Sequence, residues 1–145
     1  MRVRLVAAAF VIIAAVIPTL AFGSASATTK LSAKMSGGVE VPKGSPTGRG
    51  TATVTITGTK VCWTFSYSGI DKPLVSHIHK APTGKAGPIV VPLGGAFKTA
   101  GCTTAPSATI AKAIVANPGA FYVNIHTKKY PAGAIRGQLS KASAY

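Results

Sequence analysis

The chain of 145 residues carries 16 Lys or Arg but only two acids, Glu40 and Asp71, which gives a formal charge of +14 at pH 7. Mechanisms that need a pair of carboxylates would have to use these two alone, so glycosidase and aspartic-protease chemistry is not expected. A chain this basic is instead expected to attract anionic polymers, such as cell-wall polyanions, acidic lipid headgroups or nucleic acid.

The N-terminal segment has the residue order of a secretory signal peptide. Two arginines precede the apolar run "LVAAAFVIIAAVIPTLAF", and the small residues "GSASA" follow it. We predict a signal peptide over 1–27, cut after Ala27, and one domain over 28–145 that is secreted, periplasmic or held at the cell envelope. An uncleaved membrane anchor is the alternative, but the run is short for a span and Pro18 interrupts it. No later apolar run predicts a membrane span after cleavage.

The predicted domain remains strongly basic. Loss of the two signal-peptide arginines reduces the 16 basic residues to 14, and with both acids retained the formal charge is +12. The lysines are spread along the chain, and only Lys128 and Lys129 are adjacent. There is no basic helix and no basic patch with interleaved aromatic residues, so sequence-specific nucleic-acid binding is not expected. The charge predicts solubility and loose affinity for anionic cell-surface or extracellular polymers.

Short segments of alternating polar and apolar residues, separated by Gly and Pro, predict strands through most of the domain. The first is "KLSAKMSG", and after the loop "EVPKGSPTGRG" the segments "TATVTITGT" and "KVCWTFSYSGI" predict a hairpin. Trp63 lies on the predicted core face of that hairpin, which leaves Cys62 on the opposite face. "PLVSHIHKA" and "GPIVVPL" predict two further strands. Period-two alternation places His77 and His79 on one face of the former and Ile78 on the other.

The remaining segments complete an all-β pattern. "SATIAKAIVANPG" predicts one short helix, which Ser107 caps and the Asn-Pro-Gly at 117–119 ends. "AFYVNIHTKKYPAG" predicts a strand with Val123 on one face and Asn124 and His126 on the other, and "AIRGQLS" predicts the last strand. Regularly spaced short strands with a single helix predict an all-β fold, a mostly antiparallel β-sandwich or barrel with one short helix.

Cys62 and Cys102 are the only cysteines. In an oxidising compartment an even pair predicts a disulfide. Closing the loop between them would stabilise the fold by about 4 kcal/mol in the chain-entropy model. The alternative is a thiol pair that binds metal or performs redox chemistry, but the chain has no Cys-x-x-Cys motif.

The three histidines form the strongest candidate site. Two histidines at i and i+2 of a strand point the same way, so His77 and His79 can reach one ion, and His126 on a neighbouring strand would complete a set of three. Neutral imidazole suits copper and zinc. Since the sequence places no acid nearby, support for the imidazole rings is expected from the backbone, Asn124 or Thr127. The alternative, that these histidines only form hydrogen bonds between strands, stays open.

Two further segments contain candidate binding residues. "APTGKAG" lacks the first glycine of a phosphate-binding loop, and Ala follows its Lys, so a flexible basic turn is predicted. "TKKYPAGAIRG" predicts an anion contact through Lys128, Lys129 and Arg136, with a solvated hairpin turn as the alternative. No Gly-x-Ser-x-Gly occurs, and Ser76 faces away from His77, so no serine hydrolase and no catalytic residue is predicted.

Four segments together resemble the CHRD domain, first noted as a repeat in chordin and also found alone in exported microbial proteins. They are "MSGGVEVP", "GRGTATVTITGTKVCWTFSYSGI", "SHIHKAPTGKAGPIVVPL" and "FYVNIHTKKYPAGAIRGQL". The resemblance covers about Leu31 to Leu139 and implies a family rather than a particular activity. Family members commonly carry an acid just before Ile-Arg-Gly, where this chain has Ala134, so any role of that carboxylate is expected to be absent.

A looser resemblance concerns copper–zinc superoxide dismutases, to whose copper ligation the His-x-His and later Val-x-x-His patterns are similar. His77, His79 and His126 would match three of the four copper ligands, while the bridging histidine and the zinc-site aspartate have no counterpart.

The leading hypothesis is a secreted CHRD-domain module that binds envelope material through its basic surface. The alternative hypothesis is a metal-binding protein with three histidine ligands, either a copper carrier or a weak dismutase-like redox enzyme.

Overall fold

A computed structural model describes residues 26–142, which contain nine strands and one α-helix. The strands are β1 (Thr28–Ser36), β2 (Arg49–Thr57), β3 (Lys60–Ser68), β4 (Pro73–Lys80), β5 (Ile89–Pro92), β6 (Ala100–Thr104), β7 (Phe121–Thr127), β8 (Ile135–Gln138) and β9 (Ser140–Lys141), and the helix is α1 (Ala108–Ala116). Short 3-10 turns cover Gly37–Val39 and Pro118–Ala120. Nearly all of the predicted signal peptide lies outside the described residues. Within them, no helix is long and apolar enough to cross a membrane.

The strands form one antiparallel sheet in the order β5-β4-β7-β8-β1-β2-β3-β6, with β9 also paired to β1. The edge strands β5 and β6 are consecutive in the chain, and the segment between them forms hydrogen bonds with β4 and β3, the strands next to the two edges. Leu93 N donates to Ser76 O of β4 at 3.0 Å, and Phe65 N of β3 donates to Thr99 O at 2.7 Å. The sheet therefore closes almost into a barrel, which confirms the predicted all-β, mostly antiparallel fold with one helix.

The alternating apolar residues fill the interior of the barrel as predicted. Trp63 is 4 % exposed, and its indole N–H donates to Lys98 O at 3.0 Å. On α1, Ser107 Oγ accepts from Ile110 N at 3.2 Å, which is the predicted cap, and Ile114 is fully buried against the core. The core thus fixes which face of each strand points outward.

Strand β6 was not predicted, because "AGCTT" has only small or polar residues and no apolar alternation. It pairs with β3 and places Cys102 directly opposite Cys62, and the two are joined by a disulfide. The predicted disulfide is confirmed, and no free cysteine is left among residues 26–142. A thiol pair for metal or redox chemistry is therefore not formed.

Candidate functional site

The outward faces of β4, β7 and β8 carry a row of buried polar residues. In the register of the sheet, His77 lies opposite Asn124, which lies opposite Arg136, and the next pair is His79 with Tyr122. Asn124 and Arg136 are almost fully buried although they face away from the core. The loops that follow β4 and β7 cover this face, so it forms a second, polar interior outside the barrel.

The fold brings the three histidines together. Ring nitrogens of His77, His79 and His126 all lie within 4.8 Å of one another, and His77 Nδ1 is 3.1 Å from His126 Nε2. The cluster arises because His77 and His79 share a face of β4, and Val75 of β4 pairs with His126 of the antiparallel β7. No other group of three or more potential metal-ligating side chains occurs in residues 26–142.

Backbone carbonyls orient two of the three rings. His79 Nδ1 lies 2.8 Å from Gly87 O, and His126 Nδ1 lies 2.9 Å from Pro131 O. A carbonyl only accepts, so each Nδ1 carries the proton and each Nε2 presents a lone pair. The expected backbone support is present. Thr127 does not provide it, because its hydroxyl accepts from Tyr130 N instead.

A stack of side chains fixes the His79 ring. The ring lies 4.7 Å from the Tyr122 ring, centroid to centroid, at an interplanar angle of 7°. The Tyr122 hydroxyl accepts from Gly87 N at 3.4 Å, so the loop after β4 contacts both rings. Gly87 itself approaches the backbone so closely that a β-carbon would overlap Lys80 O. Only glycine allows the loop to reach the His79 ring in this way.

Burial favours the neutral form of His77 and His79. It lowers the pKa of His77 to about 4, with the neighbouring His126 and His79 adding to the effect. Burial also lowers the pKa of His79, although its hydrogen bond to Gly87 opposes the shift. His79 Nε2 is buried without a hydrogen-bond partner among the described residues. Since buried polar atoms in native structures are usually hydrogen-bonded, this nitrogen is available to a ligand.

An ion pair lies beside the histidines. Arg136 Nε is 4.0 Å from Glu40 Oε2, both side chains are 2 % exposed, and Arg136 Nη1 donates to Lys85 O at 2.8 Å. The Arg136 guanidinium also lies 4.4 Å from the centroid of the Tyr122 ring. Burial raises the pKa of Glu40 to about 7, although the Arg136 charge opposes the shift. Arg136 thus ties the loop that carries Glu40 to the loop after β4.

Glu40 was missed by the sequence analysis, which placed it in a loop and saw no acid near the histidines. Its carboxyl lies against Gly133, immediately before Ala134, and a β-carbon at Gly133 would overlap it. A carboxylate therefore reaches this region from a distant segment although Ala134 itself carries none. The motif Gly-Val-Glu-Val-Pro was the available signal, but nothing in it reports a contact with β8.

A model of the CHRD domain family matches residues 31–139 of this chain. The chain belongs to the CHRD domain family. No significant match was found among curated proteins, and none among solved structures. CHRD domains are extracellular-type modules, and the disulfide fits a location outside the cytoplasm. The histidine cluster, the ion pair and the disulfide all lie within the matched residues.

The three residues predicted as an anion contact of this CHRD domain do not lie together. Lys128 and Lys129 are exposed in the turn after β7, and Lys129 Nζ lies 5.6 Å from the centroid of the Tyr130 ring. Arg136 is 2 % exposed and is already engaged with Glu40 and Lys85. The turn therefore offers exposed lysines to an anion, whereas Arg136 belongs to the buried network next to the histidines.

Proposed function

We propose that this CHRD domain binds one copper or zinc ion through His77, His79 and His126. The observation that carries the proposal is the convergence of three imidazoles, with ring nitrogens within 4.8 Å of one another. Nitrogen ligands at 2.0–2.1 Å from a tetrahedral ion lie about 3.3 Å apart. His77 Nδ1 and His126 Nε2 are 3.1 Å apart, so an ion between them would take the place of the shared proton, which moves to His77 Nε2.

The surroundings support binding rather than catalysis. Hydrogen bonds to Gly87 and Pro131 fix two ligands in the tautomer that a metal needs. His79 is buried whereas His77 and His126 are half-buried, so an ion enters from the side of these two. The ion displaces the hydrogen bond between them. Reversible entry from an accessible side suits a protein that carries or buffers an ion.

Calorimetric titration of the processed protein, residues 28–145, tests the proposal. We expect one ion per chain and at least about a 100-fold loss of affinity in the His77→Ala/His79→Ala variant, because even outer-shell substitutions weaken metal sites 10- to 100-fold. Lys80→Ala is the matched control, since Lys80 is exposed on the same strand. Equal binding by the wild type and the double variant would contradict the proposal.

A second function is favoured by the distribution of charge. We propose that the exported domain also associates with anionic polymers of the cell envelope. All twelve lysines of residues 26–142 and Arg49 are exposed, whereas Asp71 is the one exposed acid of that range. The buried Glu40 and Arg136 pair with each other. The formal charge of +12 therefore lies on the surface, without one concentrated patch.

Chromatography on an immobilised polyanion, such as polyphosphate, tests this association. We expect elution at a higher salt concentration than a neutral protein of similar size, since salt screens exposed charges. A variant with Lys128→Gln and Lys129→Gln should elute earlier by about as much as one with Lys60→Gln and Lys112→Gln, because the charge is distributed. Elution together with the neutral protein would remove the proposal.

A further inference from the structure

The charges around the histidines are unusual for a divalent metal site. The three ligands are neutral imidazoles, so none of them compensates the charge of a bound ion. Glu40 is the nearby acid, and Arg136 at 4.0 Å already balances it. Asp71 is exposed and lies beside Lys129 at a separate surface cavity. The described residues thus provide no net negative charge at the ion.

The cost of burying an uncompensated ion rises steeply with its charge. In a medium of low dielectric constant this cost grows with the square of the charge, so a divalent ion is penalised about four times as much as a monovalent ion of the same size. Arg136 adds repulsion that scales with the charge of the ion, and only Glu40 offsets it. Both effects favour a monovalent ion.

The number of ligands points in the same direction. The cluster offers three nitrogens, and no fourth His, Cys, Asp or Glu side chain lies with them among residues 26–142. Zinc in a site with three protein ligands takes a water as the fourth, and cupric ion favours a tetragonal set. Cuprous ion has a filled d shell and accepts three ligands in a plane. Three imidazoles are therefore a complete set for cuprous ion alone.

We infer that the site selects monovalent copper over both cupric ion and zinc, which rests on the metal binding proposed above. The preference would stabilise bound copper in its reduced form. A module with this property would take up and release cuprous ion outside the cytoplasm, with no change in the oxidation state of the metal.

The test compares the dissociation constants of the purified protein for the two copper ions. Cuprous ion is supplied in ascorbate without oxygen, in competition with a chromophoric chelator, and cupric ion and zinc are titrated separately. We expect cuprous ion to bind at least tenfold more tightly than cupric ion. Each tenfold preference raises the reduction potential of the bound copper by about 59 mV above that of aqueous copper. Cyclic voltammetry gives an independent value.

Two substitutions should move the preference in opposite directions. Asn124→Asp places a carboxylate opposite His77 and should reduce the preference for cuprous ion about 10- to 100-fold. Glu40→Gln removes the nearby acid and should increase the preference. Asn117→Asp is the matched control, because Asn117 is exposed at the end of α1, and it should change the preference less than threefold.

The outcomes separate this inference from the proposed function. Absence of binding for every ion would overturn both. Tighter binding of cupric ion or zinc than of cuprous ion would overturn the selection of monovalent copper and leave metal binding intact. An Asn124→Asp variant that shifts the preference no more than Asn117→Asp does would also overturn the inference, because the charge of the surroundings would then not set the selection.

Discussion

Replacement of Arg136 by Met is expected to lower the free energy of unfolding by about 3–5 kcal/mol at pH 8, the usual effect of removing one partner of a buried ion pair. Arg136 is 2 % exposed, and its loss leaves the Glu40 carboxyl buried without its counter-ion. The Lys85 carbonyl would lose its donor, and the Tyr122 ring would lose its contact with the guanidinium. Three segments would therefore lose their common partner.

This loss should depend on pH in a defined direction. The pKa of Glu40 is raised from 4.5 to about 7 in the folded protein, so the folded state binds the extra proton between these values. The contribution of the Glu40 carboxyl to the free energy of unfolding is therefore fully present in acid and declines as the pH rises towards 7. Without Arg136 the carboxyl resists ionisation further. The effect of Arg136→Met should therefore be smaller at pH 5 than at pH 8.

Urea unfolding at the two pH values measures the effect. A Glu40→Gln/Arg136→Met variant should recover part of the loss at pH 8, because the amide needs no counter-ion. Arg49→Met is the matched control, since Arg49 is exposed and should change stability by less than about 0.5 kcal/mol. A pH-independent loss that Glu40→Gln does not relieve would show that Arg136 acts through packing alone.

The histidine cluster could be anticipated because strand geometry is periodic. Alternation places His77 and His79 on one face of β4, and the same rule places His126 on the outward face of β7. The outward faces of two paired strands lie side by side. To predict the cluster, one further fact was needed, namely that β4 and β7 pair antiparallel. That pairing depends on topology, which the local pattern of residues does not encode.

The partners of the histidines could not be anticipated. Gly87 and Pro131 act through backbone carbonyls, which every residue carries, so no side-chain pattern marks them. Glu40 contacts Arg136 across 96 positions of the chain because the loop after β1 folds over β8.

Strand β6 was missed for a related reason. It is exposed and bears no apolar alternation, so pairing with β3 rather than burial forms it.

The second large effect concerns closure of the barrel. Replacement of both Cys62 and Cys102 by Ser is expected to lower the free energy of unfolding by about 4 kcal/mol in the chain-entropy model for a loop of this size. The two residues are 40 positions apart and join β3 to β6, the strand that closes the sheet. Because β6 has little apolar surface, the disulfide and the backbone pairing with β3 are expected to hold it in place.

The measurement compares urea unfolding of the wild type, the reduced wild type and the double serine variant. Reduction should lower the stability of the wild type by the same amount and leave the variant unchanged. A loss below about 1 kcal/mol would mean that strand pairing alone holds β6, since single backbone hydrogen bonds contribute about that much.

Metal affinity provides the second readout. The histidines lie on β4 and β7, which pair directly with each other, so the folded serine variant should bind the ion within about threefold of the wild type. A larger change would show that closure of the barrel through β6 and β5 sets the geometry of the histidines, because β5 is the remaining neighbour of β4.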